Sequence, residues 1–421
     1  MKILIRNGRV IDPASGRDAV GDLAIADGRL CDALAGKPDR VIDATGLVVA
    51  PGLIDIAARL REPGYEYKAT LESEMDAAVA GGVTSLACPP DTDPPLDEPG
   101  LVDMLRRRAK VLSRARVYPV GALTVKLAGE RLTEMAELAE AGCVAFSQAD
   151  EPISDTQVLW RALQYAATFG FPVWLRAEDH WLARGGVAHD GELATRLGLP
   201  GIPVFAETIA LGVLLELVRA TGTRVHLCRL SSAGAVDLVR GAKAEGLPIT
   251  CDVGIHHLHL SDQDLGYFDS HCRLVPPLRS QRDRDALAAG LADGTIDCVC
   301  SDHTPVDEDQ KQMPFSEAEP GATGLELLLP LALKWGAQRS LPLATVLARV
   351  TSDAARVLGV HSGRLQADAP ADVIVFDPDA AWRVSADTLR SQGKNTPYIG
   401  YELGGRVRYT LVAGNVVFEQ A

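Results

Sequence analysis

The 421-residue chain has no run of about 18 apolar residues, the length that a membrane-spanning helix needs. Its opening, MKILIRNGRV, carries early positive charge but no continuous apolar segment and no small-residue cleavage site. It does not read as a secretory signal. None of the eight cysteines falls in a Cys-x-x-Cys pair; they are scattered, mostly inside apolar runs such as VHLC and IDCVCSD. That pattern reads as buried, reduced thiols rather than a disulfide framework. Blocks of like charge, internal repeats, low-complexity tracts and flexible linkers are also lacking. A formal net charge of −14 opposes nonspecific binding to nucleic acid. The expectation is a soluble cytoplasmic protein with neither nucleic acid nor membrane as a partner.

What remains is a globular composition, 47% hydrophobic and 23% charged, arranged in two rhythms. The first fifty residues alternate in short apolar segments, KILIRNGRVID, DLAIADGRL and RVIDATGLVVA, punctuated by Gly and Asp-Gly as antiparallel hairpins are. From Pro51 onward, apolar runs of four to six residues alternate with helical stretches, the βα rhythm of a parallel sheet. The strand candidates are GLIDIA, VTSLAC, RVYPVGAL, CVAFS, PVWLRA, RVHLCRL, PITCDV and IDCVCSD. Eight such strands predict a closed (β/α)8 barrel over residues 51–359, in the α/β class. Short strands return in ADVIVFDP and VRYTLVAGNVVFE. The two β-rich ends, 1–50 and 360–421, are each too small to fold alone and are expected to form one composite β-sandwich beside the barrel.

Chemistry in such barrels sits at the carboxyl ends of the strands. Those ends read, in order, PGLIDIAARLREPG, CPPDTDPP, VAFSQADEP, LRAEDH, VHLCRLSS, GIHHL, VPPLR, CSDHTP and GATGLELLLP, with a tail KNTPYIGYELGGRVRYTLVAGNVVFE. In order and spacing, over essentially the whole chain, these segments resemble the dihydroorotases. That family belongs to the amidohydrolase superfamily and interconverts carbamoyl-aspartate and dihydroorotate in pyrimidine synthesis. The resemblance implies a metal site, usually zinc, at the barrel mouth. Neutral imidazoles and carboxylates hold the metal there, it acidifies a bound water, and a final aspartate shuttles the proton.

Set against that pattern residue by residue, the chain departs at nearly every ligand. The two histidines after the first strand are Ala57 and Arg59. The aspartate after the Phe-Ser strand is Gln148 or Ala149, and the next acids, Asp150 and Glu151, come one and two residues late. The remaining two histidines are Arg176 and Arg229. Asp302 alone stands where the family has its aspartate. A guanidinium stays protonated and has no lone pair to give, so arginine is no substitute ligand. Arg61 keeps the place of the arginine that grips the substrate carboxylate. The substrate-binding asparagines correspond to Asp91 (or Pro90) and Val275, and a histidine to Val306. His226, His256, His257, His259 and His303 are expected to pack or hydrogen-bond, and Lys126 to be an ordinary lysine rather than a carboxylated one.

The resemblance therefore implies a noncatalytic dihydroorotase homologue. Such proteins accompany aspartate transcarbamoylase, so its catalytic chain is the expected partner, in an oligomer without cofactor. Two other functions stay open: a metal-free protein that binds a small anion in the old pocket, and an active cyclic-amide hydrolase with an unrecognised site, for which zinc would be expected. Convergence of Arg59, Arg176 and Arg229 at the mouth would demand buried counter-charges. Asp302 and Glu178 are the nearest by motif position.

Overall fold

A computed structural model describes residues 1–420. Each of the eight apolar runs contains a strand: β1 Leu53–Asp55, β2 Val83–Cys88, β3 Arg116–Ala122, β4 Ala145–Ser147, β5 Val173–Leu175, β6 Val225–Leu227, β7 Ile249–Gly254 and β8 Cys298–Cys300. They pair in parallel and in chain order. The ring is joined just beyond β1 and β8, where Arg59 N donates to His303 O (2.9 Å), His303 N donates to Ala57 O (3.2 Å) and Ala58 bridges His303. The fold is thus a (β/α)8 barrel, and the segment that closes it carries Ala57 and Arg59, two of the positions where the family resemblance puts metal ligands.

Eight helices follow the eight strands: α1 Leu71–Ala80, α2 Pro99–Leu112, α3 Met135–Ala141, α4 Thr156–Phe169, α5 Val204–Thr221, α6 Ala233–Ala244, α7 Gln281–Asp293 and α8 Leu328–Gln338. Local sequence sets their starts. Thr70 and Ser73 make a capping box on α1, and Asp155, Ser232 and Ser280 accept the first free N–H groups of α4, α6 and α7, each such cap contributing about 1 kcal/mol. Inside the ring, Ile54, Ile56, Ala87, Val120, Ala145, Trp174, Cys298 and Cys300 pack as one buried cluster. It is a filled interior, as barrels of this size require.

The two ends of the chain share one eight-stranded sheet. Val48–Pro51 is its joint: it lies antiparallel to Val373–Arg383 on one side and parallel to Lys2–Asp12 on the other. Ile3, Ile5, Val10, Ile25, Val49, Val373, Val375 and Leu411 form a core of their own there. Each fully buried Val, Ile or Leu adds about 1.5–3 kcal/mol, so neither end could keep this core without the other. All eight cysteines are unpaired thiols, five of them fully buried. No helix among the described residues is long and apolar enough to cross a membrane.

The histidine-rich turn after β7 is wholly interior. His257 Nε2 donates to Pro276 O (3.0 Å) and His259 Nε2 to Leu331 O (2.9 Å). His256 stacks on Tyr398 (ring centroids 5.7 Å apart), and neither of its nitrogens has a hydrogen-bond partner among the described residues. Burial pushes His256 down to about 3 and His257 and His259 to about 4. Because the folded values lie below the unfolded value near 6.5, the unfolded chain takes up protons first. Stability is therefore full above about pH 6.5 and falls towards pH 4, by about 1.4 kcal/mol per pH unit for each histidine. Urea unfolding midpoints should drop steadily from pH 7 to pH 5, and less steeply in His256→Phe; identical pH profiles for the two would contradict this.

Candidate functional site

The barrel mouth is shaped by unusual backbone. Arg61, Ala149, Arg229 and Asp302 have φ of 62°, 51°, 53° and 49°, left-handed values that cost a residue with a Cβ and cluster at functional sites. Buried polar groups hold these turns. Asp252 Oδ1 accepts from Arg229 N (2.8 Å), Ser147 Oγ from Ala149 N (3.0 Å), and Asp55 from Ser301 N (2.9 Å) and the Ser301 hydroxyl. Burial lifts Asp55 to about 6 even against those hydrogen bonds. His303, the other histidine of CSDHTP, points away from the mouth. Its Nε2 donates to Glu74 (2.5 Å) and its Nδ1 accepts from Gly324 N (3.1 Å), with no exposure.

On this frame three guanidiniums meet one carboxylate. Arg59 Nη2 reaches Asp150 Oδ2 (2.6 Å), Arg176 Nε reaches Asp150 Oδ1 (3.1 Å), and Arg229 Nη2 contacts the same Oδ1. Three further carboxylates complete the cluster. Asp302 Oδ1 accepts from Arg229 Nη1 (2.9 Å) and lies 3.5 Å from Arg59 Nη1; Asp91 accepts from Arg59 Nε (2.6 Å); Glu178 takes both ends of Arg176 (2.6 and 2.8 Å). The arginine side chains are 5–6% exposed, whereas Asp150 and Asp91 keep 32% and 26%. Burial alone would raise the Asp150 pKa, but the charges of Arg229, Arg59 and Arg176 outweigh it and hold the carboxyl well below the usual range. Asp302 goes the other way: burial, with repulsion from Asp150, raises it despite Arg229 and Arg59.

The other sequence-derived positions fall around this cluster. Ala57 and Ala149 line the cavity left beside it, about 30 Å³, together with Trp174, Cys228, Arg59 and Arg229. That is room for about one water. Arg61 is not drawn into the network: its Nε donates to Pro305 O (2.8 Å), and Nη2 lies 3.7 Å from Glu319, which also pairs with Lys68 (2.6 Å). Val275 offers only its carbonyl, to Arg229 Nη1 (3.3 Å), and Val306 N donates to Asn395 (2.9 Å). Lys126 is exposed, in a short turn. Reading the sequence identified Asp302 and Glu178 as counter-charges but missed Asp150 and Asp91. The signal for Asp150 was present, an acid one residue beyond the expected aspartate.

The residues at the mouth do not fit a zinc ion. Of the six family positions only Asp302 has a lone pair to offer, and its Oδ1 already accepts from arginine. The guanidinium nitrogens are donors without acceptor capacity. One other group of ligand types lies together among the described residues, His226, Cys228 and Asp252. There His226 is already spent, donating from Nε2 to Asp252 (2.8 Å) and pairing through Nδ1 with Thr250 (2.8 Å), so this trio serves to fix the carboxylate that holds Arg229 N.

A parallel barrel with ligand positions at its mouth and a sheet built from both chain ends is the architecture of the amidohydrolases. An L-hydantoinase from Arthrobacter aurescens superposes with a TM-score of 0.88 at 24% identity, covering 100% of this chain and 96% of the other. A D-hydantoinase superposes with a TM-score of 0.84 at 21% identity. Residues 46–235 match a dihydro-orotase-like family model, and residues 243–418 match an amidohydrolase family model. A "Dihydroorotase-like protein" of Pseudomonas aeruginosa is 45% identical over 100% of both chains, and one of Pseudomonas putida is 45% identical over 99% of both. A "Dihydroorotase" of Geobacter sp. (strain M21) is 41% identical over 100% of both. The chain belongs to the dihydroorotase-like family.

If Asp150 is the hub, its removal leaves three buried cations short of a partner at once. Taking one member from a buried ion pair costs about 3–5 kcal/mol, and partial exposure of Asp150 puts the expected loss for Asp150→Ala near the lower end. Asp91→Ala, which deprives only Arg59, should cost clearly less. Urea unfolding of the two variants measures the difference; equal losses would show that Asp150 is not the centre.

Proposed function

We propose that this protein is a catalytically inactive dihydroorotase homologue of pyrimidine biosynthesis, a structural subunit that assembles with the catalytic chain of aspartate transcarbamoylase. One observation carries the inactive half of the reading. Three ligand positions hold arginines whose charges are neutralised by carboxylates of the same chain, in the place where the family's resemblance puts the metal. In active members a bound zinc supplies hydroxide near pH 7 and polarises the carbonyl under attack. Guanidiniums locked into ion pairs do neither, and the cavities at the mouth, about 30 Å³ beside Arg59 and Arg229 and about 100 Å³ beside Arg176 and Glu178, are below the 300–1,000 Å³ of small-molecule sites. The same two facts weigh against the anion-binding reading, since the arginines already have their anions.

The assembly half draws support from α5. Phe205, Ile209 and Val213, spaced four residues apart on this helix, are 52%, 48% and 37% exposed, and Trp181, on the same side of the mouth, is 67% exposed. A helix apolar all round belongs in an interior, and a clustered exposed apolar face marks a contact surface. A stable complex buries above about 1,000 Å², which several such large side chains help to supply.

Two measurements test this. Chelator-free purified protein should carry well below one zinc per chain and, with zinc added, turn over neither dihydroorotate nor carbamoyl-aspartate; turnover abolished by Asp302→Ala would overturn the inactive reading. Co-expressed with the transcarbamoylase chain, the protein should elute as one complex by light scattering. Ile209→Glu should split that complex and Asp302→Asn should leave it whole. Separate elution of the wild-type chains at micromolar concentration would remove the assembly reading.

A further inference from the structure

A cleft of about 460 Å³ lies between the barrel and the terminal sheet, sharing no lining residue with the mouth. Its walls include Trp382, Phe418, Arg390, Arg406 and Thr388. Two features set it apart in a chain of net charge −14. Neither Arg390 nor Arg406 has a carboxylate within 4.0 Å among the described residues, whereas the three arginines of the mouth are all paired. Each guanidinium instead lies against an aromatic ring: Arg390 is 5.3 Å from the Phe418 centroid and Arg406 is 5.8 Å from that of Trp382.

A guanidinium over an aromatic ring keeps N–H groups free for a planar or tetrahedral oxyanion. Arg406 spends only Nε, on Gln420 (3.2 Å). The two acids of the cleft do not compete for these edges. Glu326 is occupied by the backbone N–H groups of Arg390 (2.8 and 2.9 Å) and Ser391 (3.1 Å), and Asp387 makes no ion pair. Trp382 is oriented by its own Nε1, which donates to Gly405 O (3.2 Å). The volume is within the range of small-molecule sites and exceeds what a bare phosphate fills. The nearby acids disfavour a ligand of very high negative charge.

We propose that this cleft binds an organic phosphate of nucleoside-monophosphate size, its phosphate held by Arg390 and Arg406. Isothermal titration and thermal shift on the full chain test this with uridine and adenosine 5′-monophosphates, the two free nucleosides and inorganic phosphate. At least one nucleotide should bind saturably, the nucleosides should not, and inorganic phosphate should bind more weakly. Arg390→Gln and Arg406→Gln should each weaken the nucleotide about tenfold or more, while Arg176→Ala, in the mouth, should leave its affinity unchanged. Arg390 is exposed, so its variant folds even if Arg406→Gln does not. The proposal is overturned if neither nucleotide binds, if binding survives Arg390→Gln, if it is lost in an Arg176→Ala variant that circular dichroism shows to be folded, or if nucleosides or inorganic phosphate bind as tightly as the nucleotides.

Discussion

Asp150 decides what the mouth of this barrel can be. Its two oxygens receive Arg59, Arg176 and Arg229, side chains that the barrel carries just beyond the ends of β1, β5 and β6. Charges of one sign gathered in a nearly dry space repel one another, and each has lost its hydration. Without a shared anion the three would have to turn out to solvent and open the strand ends. With it, and with Asp302, Asp91 and Glu178 around it, three cations face four carboxylates and the interior is closed. A bound metal ion would supply positive charge to such carboxylates too, but it must keep a coordination position open to act on a substrate. Arginine supplies the charge and fills the opening.

The surroundings of that cluster are still those of a site that presents ligands. Left-handed backbone at Ala149, Arg229 and Asp302 turns the chain just where each strand ends, and Ser147, Asp252 and Asp55 hold those turns by buried hydrogen bonds. Asp252 is itself positioned by His226, which Thr250 orients. None of these interactions depends on the identity of the side chain presented. Strain in the backbone and the polar groups that offset it are thus separable from the side chains presented there.

The eight strands were legible in the sequence because each is a short apolar run between turn residues, a pattern that buried parallel strands share. The terminal strands were legible as strands; their joining through Val48–Pro51 was not, since pairing between residues some 320 positions apart leaves no local trace. At the mouth, the displaced residues could be read from motif spacing and their convergence followed from barrel geometry. Asp150 was not legible because motif spacing presumes a fixed register. The left-handed turn at Ala149 carries the next side chain back over the mouth, so an acid one place late arrives where an acid is needed. Asp91 escaped for a related reason: the CPPDTDPP turn has no periodicity to assign a direction to its side chains.

The same geometry explains why a single substitution would not make the mouth a metal site. Replacing Arg229 by histidine supplies one imidazole, but Arg59 and Arg176 remain bonded to Asp150, and Arg59 still contacts Asp302. The carboxylate oxygens that could join that imidazole around a cation stay engaged by the two remaining guanidiniums, so the change supplies one free ligand and not a site. Replacing all three arginines removes the repulsion but leaves four carboxylates without compensation until the metal arrives, which destabilises the apo protein by several kcal/mol. The ion network holds this arrangement through charge balance, with no change in fold.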